Sequence, residues 1–336
     1  MKRLLILATL VLPVAVPLAA QQAEPPTPAS IVAAAPASDW RAIDPADLLV
    51  MTLAPDRDGK PREVVIQLLP APFSQGWVGN VRTLAKAHWW DGTSVYRVVD
   101  NWVAQWGDGE DDEAKAKPLP EGLRVVPESE YVTPTRDAFQ AVEEVQGAFL
   151  AAAIAGGLDV SNLPPEPVDA DALFLKDRYA PATIVLRGWP MGATAETVWP
   201  VHCYGSVGVA RDTETTGTGA ELYAVIGHAP RQLDRNIAVV GRVIEGIEHL
   251  STLPRGKGDG GRYDDAALRV PIVSVRLGNE VPQFPQPTFE YLASDSASFA
   301  EYVRVRANRN DAFSKVPAGG IDVCNVQVPI WRVPSE

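Results

Sequence analysis

The chain has 336 residues, 46% hydrophobic and 21% charged, and carries 30 basic against 42 acidic side chains for a formal charge of −12. That length and apolar content allow one large or two modest domains with a sizeable core. An acidic balance (pI near 4.9) with no basic stripe excludes nucleic acid and anionic lipid as expected partners.

Residues 1–20 read as a cleavable signal peptide: Met1-Lys-Arg is positive, Leu4 to Val16 is apolar, and Pro17-Leu-Ala-Ala20 closes in small residues. Cleavage near Ala20 leaves a chain starting close to Gln21, with a formal charge of −14 once Lys2 and Arg3 are gone. No cysteine follows the apolar run, so no lipid anchor is expected, and the run falls short of the roughly 18 apolar residues of a span. No later stretch reaches that length. The expected location is the periplasm of a host with two membranes. Residues 21–39, rich in Ala, Pro, Gln and Ser, read as a flexible leader.

From Trp40 onward the pattern is mainly β. Strands are predicted over Leu48–Leu53 and Glu63–Leu69 around the Asp56-Arg-Asp-Gly59 turn. A helix over Val78–Trp90 carries Val78, Val81, Leu84 and Ala85 on one face. Strands Ser94–Val99 and Trp102–Gln105 flank an Asp100-Asn101 turn, and period-2 alternation sets Tyr96 and Val98 on the face opposite Arg97 and Val99. Arg97 and Gln105 are then polar groups on an apolar surface, the arginine a rigid fork of donors in need of an acceptor. A charged loop follows Gly109, then a helix Thr135–Ala155 capped by Thr135 and stopped by Gly156-Gly157. Its stripe, Phe139, Val142, Val145, Phe149 and Ala152, is expected to pack on the barrel. Tyr179–Trp189 reads as one strand, with the barrel resuming at Trp199. Strands His202–Val209, Glu221–Ile226, Ile237–Val243 and Val270–Leu277, with a helix around Gly246–Thr252, bring the barrel to eight strands and two flanking helices. An eight-stranded barrel is filled by its own side chains, so a site must lie on its outer face. Beyond Asn279, a helix near Ser296–Arg306 and a strand-like end, Val326–Val333, are expected to wrap the barrel; six prolines after Gly278 argue against a separate core.

Cys203 and Cys324 are either bridged, tying the tail to the barrel region, or two buried thiols; the sequence leaves both open. A zinc site is not expected, because His88, His202, His228 and His249 are scattered.

The run Val95-Tyr-Arg-Val-Val-Asp-Asn-Trp-Val-Ala-Gln-Trp-Gly-Asp108 resembles the central motif of the cyclophilin-type peptidyl-prolyl isomerases. Further blocks are similar in the same order: Arg62–Pro70, Gly79–Ala85, Gly217–Ile226, Leu233-Asp234 and Ala238–Ile247, together about half of the chain. The resemblance implies a closed eight-stranded antiparallel barrel over residues 40–278, an insertion over about 109–198 and a C-terminal extension from 279 to 336 packed on the barrel. It implies isomerisation of X-Pro bonds in exported peptides or folding proteins, with no cofactor and no metal.

In this reading Arg97 is the catalytic residue, donating to the prolyl nitrogen as the bond twists. Trp102, Val103, Tyr223 and Leu233 hold the proline ring. Gln105 is the second polar group, and Ala210 and Arg211 meet the substrate backbone, Arg211 standing where the family usually carries Asn. Three positions depart: Glu221 stands for Gln, Gln232 for a frequent Trp and Ile237 for a frequent His. The Glu221 charge is placed to pair with Arg97 and compete with substrate, which implies weakened turnover or altered substrate choice. The alternative class is a non-catalytic proline-peptide-binding module on the same barrel. A Gly-x-Ser-x-Gly or Cys-His hydrolase constellation is absent.

Overall fold

The computed structural model describes residues 25–334 apart from 111, 113, 141–176, 282–285 and 312. In chain order the strands are β1 (Trp40–Ile43), β2 (Leu48–Leu53), β3 (Arg62–Leu68), β4 (Ser94–Val98), β5 (Val103–Gly107), β6 (Thr133–Pro134), β7 (Ala182–Leu186), β8 (Trp189–Ala193), β9 (Thr197–Pro200), β10 (Ser206–Val209), β11 (Leu222–Val225), β12 (Val239–Glu245), β13 (Val270–Leu277), β14 (Phe289–Leu292) and β15 (Ile330–Arg332). The helices named below are α1 (Pro28–Ala34), α2 (Gln75–Lys86), α3 (Glu248–Ser251) and α4 (Ala297–Ala307). No helix among the described residues is long and apolar enough to cross a membrane.

Eight strands close an antiparallel barrel in the order β10-β11-β5-β4-β13-β2-β3-β12, as expected from the sequence. Alternation decides what faces in. Along β5 and β11, Ala104, Trp106, Leu222 and Ala224 enter the barrel core, while Val103, Tyr223 and Val225 gather in a separate outer cluster. Helix α2 buries Trp77, Val78, Val81, Leu84 and Ala85 against the same core, each fully buried side chain of this kind contributing about 1.5 to 3 kcal/mol. It starts at Gln75 and stops at Lys86, not at Trp90, because His88 takes a left-handed conformation (φ 52°) that ends the helical run.

The interval 109–198 is more than the loop, helix and single strand expected. Its first part lies along α2: the Asn80 side chain donates to the Arg124 carbonyl (2.9 Å) and accepts from the Arg124 N–H (2.8 Å), and Tyr131 stacks on Trp77. The predicted strand Tyr179–Trp189 is instead a hairpin, because Arg187 and Gly188 both take positive φ and turn the chain between β7 and β8. With β9 and β6 these strands form a four-stranded sheet, so Trp199 belongs to this sheet and the barrel resumes only at Ser206. Residues 135–140 are helical, but Ala138 is buried there and Phe139 is exposed, so the inward face lies one residue away from the predicted stripe. Val142, Val145, Phe149 and Ala152 lie outside the described residues.

The extension builds a small core, against the expectation from its prolines. Leu292 and α4 residues Phe299, Tyr302 and Val303 bury with Ile321, Val326 and Trp40, while Ile31 and Val32 of α1 pack on them. Pro287, Pro317 and Pro329 fall between these elements, and the partner surface comes from residues near the other end of the chain. Strands β1, β14 and β15 form a sheet, and a second cluster joins Phe289, Ile43, Leu48 and Val65 against the barrel. Arg332 bonds Glu245 and, at 3.3 Å, Glu63 on barrel strands β12 and β3. Cys203 and Cys324 form a disulfide, which settles their pairing and ties the extension to the segment entering β10.

Candidate active site

Strands β4 and β5 pair Ser94 with Gly107 and Val95 with Trp106, but then Arg97 with Gln105, so Tyr96 is an extra residue in a β-bulge. The bulge overturns the alternation expected here. Val95 and Val98 both enter the core, and the Tyr96 and Arg97 side chains both reach Gln105 on the outer face. The turn beyond β4 holds its shape because Asn101 adopts φ 50° and its backbone lies against Gly227, where a Cβ would come within 2.1 Å of the Asn101 carbonyl carbon.

A directed chain of hydrogen bonds fixes the polar half of this surface. Arg97 Nη1 donates to Gln105 Oε1 at 2.8 Å, Gln105 Nε2 donates to the Tyr96 hydroxyl, and that hydroxyl donates to Glu221 Oε2 at 2.8 Å. Glu221 Oε1 accepts from the backbone N–H of Asp108 (2.8 Å) and of Gly109 (3.4 Å). The expected pairing of Glu221 with Arg97 is therefore absent, because Tyr96 and Gln105 stand between them and the carboxylate is spent on a hydroxyl and two amides. Arg97 Nε donates to the Gly260 carbonyl at 2.6 Å, and the guanidinium lies 5.2 Å from the centre of the Trp102 ring. Its Nη2 makes no hydrogen bond among the described residues. Burial lowers the Arg97 pKa, and the Arg262 guanidinium adds to this while Tyr96 opposes it; an arginine stays charged throughout. Burial raises the Glu221 pKa, against hydrogen bonds from Tyr96, Gly109 and Asp108.

The apolar half lies beside it. Val103, Tyr223 and Val225 are buried, with Val99, Trp102, Ala210, Leu233 and Ile237 packed on them. The hydroxyl end of the Tyr223 ring covers Gly208 of β10, its register partner, where a Cβ would stand 2.3 Å from the tyrosine hydroxyl. The Trp102 indole N–H is buried and finds no acceptor among the described residues. Gln232 is exposed on the turn that carries Leu233. Arg211 is also exposed, but its Nε and Nη2 donate to the Asn236 carbonyl at 3.1 and 3.0 Å, tying its loop to the one bearing Leu233 and Ile237. All eleven residues singled out from the sequence thus lie on these adjoining strands and loops.

Sequence reasoning missed the loop 254–262, whose Gly260 meets Arg97 and whose Arg262 lies 5.0 Å from the centre of the Tyr96 ring; its run of glycines was the available signal. It also missed His202, set aside as a scattered histidine. No three His, Cys, Asp or Glu side chains among the described residues gather as a metal ligand set.

A family model described as cyclophilin type peptidyl-prolyl cis-trans isomerase/CLD matches residues 63–277, well over half of the chain. The chain belongs to this family. It is a peptidyl-prolyl cis-trans isomerase by that membership, and its substrates are proline-containing peptides. Among solved structures, the cyclophilin AquaCyp293 from Hirschia baltica is similar in fold at 18% identity, with a TM-score of 0.57 over 93% of this chain and 99% of that one. A Cryptosporidium parvum cyclophilin type peptidyl-prolyl cis-trans isomerase aligns at 10% identity and a TM-score of 0.37, covering 69% and 96% of the two chains. No match was found among curated proteins. The Hirschia alignment reaches beyond the family-model segment at both ends, so the likeness in fold extends past the barrel.

Proposed function

We propose that this isomerase acts on X-Pro bonds of exported peptides and folding proteins, with Arg97 as the catalytic residue and the cluster around Val103 and Tyr223 as the proline pocket. The observation that carries the reading is the guanidinium edge. Gln105 and Gly260 hold Nη1 and Nε, while Nη2 makes no hydrogen bond among the described residues and the guanidinium lies over Trp102 at the margin of the apolar cluster. Rotation of an X-Pro bond meets a barrier of about 18 to 20 kcal/mol because the nitrogen lone pair is delocalised. As the bond twists, that lone pair localises on nitrogen, and a fixed donor placed there stabilises the twisted state more than either planar one. The chemistry requires no nucleophile, metal or general base. Trp102, Val103, Leu233, Ile237 and Tyr223 retain the ring, while Ala210, Arg211 and Gln232 border the path of the flanking chain. The signal-peptide pattern of residues 1–20 supports periplasmic action, as does the Cys203–Cys324 disulfide, which suits an oxidising compartment.

Arg97→Ala tests the mechanism: kcat/KM on a short X-Pro peptide falls by at least tenfold while peptide affinity, measured by calorimetry, changes little. Arg97→Lys recovers little, since an ammonium lacks the planar fork. Equal rates for wild type and Arg97→Ala would remove the arginine from the mechanism, and peptide binding without isomerisation by wild type would leave only the binding-module reading. For location, the intact mass of protein from the cell envelope should match a start near Gln21; a full-length mass refutes export with cleavage.

A further inference from the structure

Behind the apolar pocket runs a line of buried polar groups that neither the barrel nor the isomerisation chemistry requires. The Tyr223 hydroxyl lies 2.9 Å from His202 Nε2, His202 Nδ1 lies 2.9 Å from Asp234 Oδ1, and the same Oδ1 accepts the His202 backbone N–H at 2.9 Å. Asp234 Oδ2 accepts from Arg231 Nε at 2.6 Å, and Arg231 Nη1 donates to Asp177 Oδ2 at 2.6 Å. A carboxylate accepts only, so the neutral imidazole carries its proton on Nδ1, and Nε2 accepts from the tyrosine. Each group is thereby satisfied by the next, in a setting where His202 is fully enclosed and Arg231 and Asp234 are each 5% exposed.

The two ends of this line are informative. One is the floor of the pocket: the hydroxyl end of Tyr223 covers Gly208 and is pinned by His202. The other is Asp177, in the last part of the 109–198 interval, which also holds its own loop by accepting from the N–H groups of Tyr179 and Ala180. In between, Arg231 and Asp234 bracket Gln232 and Leu233, so the turn that supplies the pocket's side wall is anchored on both sides of Leu233. The Arg231 guanidinium also lies 5.4 Å from the centre of the Tyr179 ring.

We infer that Asp177, from the inserted interval, and Arg231 are positioning residues that set the floor and the Leu233 wall of the pocket through Asp234, His202 and Tyr223. The inference rests on the proline-pocket reading above. It assigns to the insertion a task in ground-state recognition and none in bond rotation, which is left to Arg97. Neither residue touches the reacting amide.

The test uses the full mature chain, a short X-Pro peptide, and two readouts: peptide Kd by calorimetry and kcat by an isomerisation assay at saturating peptide. Asp177→Asn keeps the shape of the side chain and removes its charge. The expected result is a Kd weakened roughly 3- to 10-fold, a kcat within about twofold of wild type, and the same Kd change in Arg231→Met. The double variant should be no worse than either single one, because both cut one line. Should Arg231→Met fail to fold, Asp177→Asn with Asp177→Glu as a partial rescue carries the comparison. An unchanged Kd alongside a lowered Tm would overturn the inference and leave a purely structural brace. A fall in kcat at constant Kd would overturn it too. Wild type that binds peptide but does not isomerise it refutes the catalytic reading alone, since the Kd comparison still decides the role of Asp177.

Discussion

Glu221→Gln restores the side chain expected at that position from the family, yet here it should harm the enzyme. The carboxylate is an acceptor on both oxygens, and all its partners are donors: the Tyr96 hydroxyl at 2.8 Å on one side, the Asp108 and Gly109 N–H groups at 2.8 and 3.4 Å on the other. A glutamine offers one oxygen and one NH2. With its oxygen toward Asp108, its NH2 meets a Tyr96 hydroxyl that already accepts from Gln105 Nε2, and the tyrosine proton loses its acceptor. With the amide reversed, donor faces donor at Asp108. Either way one buried donor is orphaned, at a cost of about 1 to 3 kcal/mol. The cheapest relief is rotation of the Gln105 amide, so that its oxygen takes the tyrosine proton; its NH2 then faces Arg97 Nη1, and the guanidinium loses its lateral support. A loss of one such contact in the twisted state, about 1.4 kcal/mol, is a tenfold drop in kcat/KM. Peptide affinity, set mainly by the apolar cluster, should move less. The measurement is kcat/KM on one X-Pro peptide for wild type, Glu221→Gln, Tyr96→Phe and the double variant, with the double falling well short of the sum because the two changes break one chain. A rate increase in Glu221→Gln would mean that the carboxylate competes with substrate for Arg97, and strict additivity would mean that the chain does not transmit to Arg97.

Three further outcomes are expected. Reduction of the Cys203–Cys324 disulfide, which spans 121 positions, should lower stability by about 2 to 5 kcal/mol in chemical denaturation; an unchanged midpoint refutes a stabilising role. Burial alone would raise the carboxyls of Asp91 and Asp177, but hydrogen bonds from Arg276 and Arg231 hold both below their ordinary 3.8. A depressed folded-state pKa contributes stability that is present above the unfolded value and lost as pH falls through the folded one, so the urea midpoint should drop mainly below pH 3.8; a flat midpoint through that window counts against both pairs. Gly208→Ala brings a Cβ to 2.3 Å from the Tyr223 hydroxyl, so the ring must lift into the pocket and peptide Kd should weaken roughly tenfold; wild-type affinity would show that the floor is not where the proline sits.

Legibility followed how local each signal is. Leu48–Leu53 and Val270–Leu277 match their predicted bounds to the residue because the first is a nearly continuous apolar run and the second sets Val270, Ile272, Val275 and Leu277 inward between more exposed positions. The resemblance to the family grouped Val103 and Tyr223 with Trp102 and Leu233, and the alternation along β5 and β11 sets Val103 and Tyr223 on the outer face. What failed needed information from another part of the chain. The bulge at Tyr96 is a register event between two strands, and nothing in Val95-Tyr-Arg marks it. The Arg187-Gly188 turn was hidden because an arginine at positive φ is uncommon and a lone glycine inside an apolar run reads equally as a bulge. The ion pair between Arg231 and Asp177 joins residues 54 positions apart on separate loops, which no period can signal.

Two buried polar groups on this surface, Glu221 and Tyr223, each come with a compensating partner, and the two partnerships serve different tasks. Glu221 puts a buried negative charge where an amide is expected, and Tyr96 supplies the hydroxyl that it needs, itself brought to the outer face by the bulge. Tyr223 puts a hydroxyl on the floor of an apolar pocket, and His202 supplies the acceptor while Gly208 supplies the room. A buried polar group left without its partner costs about 1 to 3 kcal/mol, so each of these groups is tolerable only with its partner. A clamp needs the second pair, since a rigid floor improves retention of the ring. It has no use for the first, whose end point is the orientation of one guanidinium whose Nη2 makes no hydrogen bond among the described residues. In the proposed mechanism that chain holds Arg97 in place as the donor to a lone pair present only while the bond is twisted.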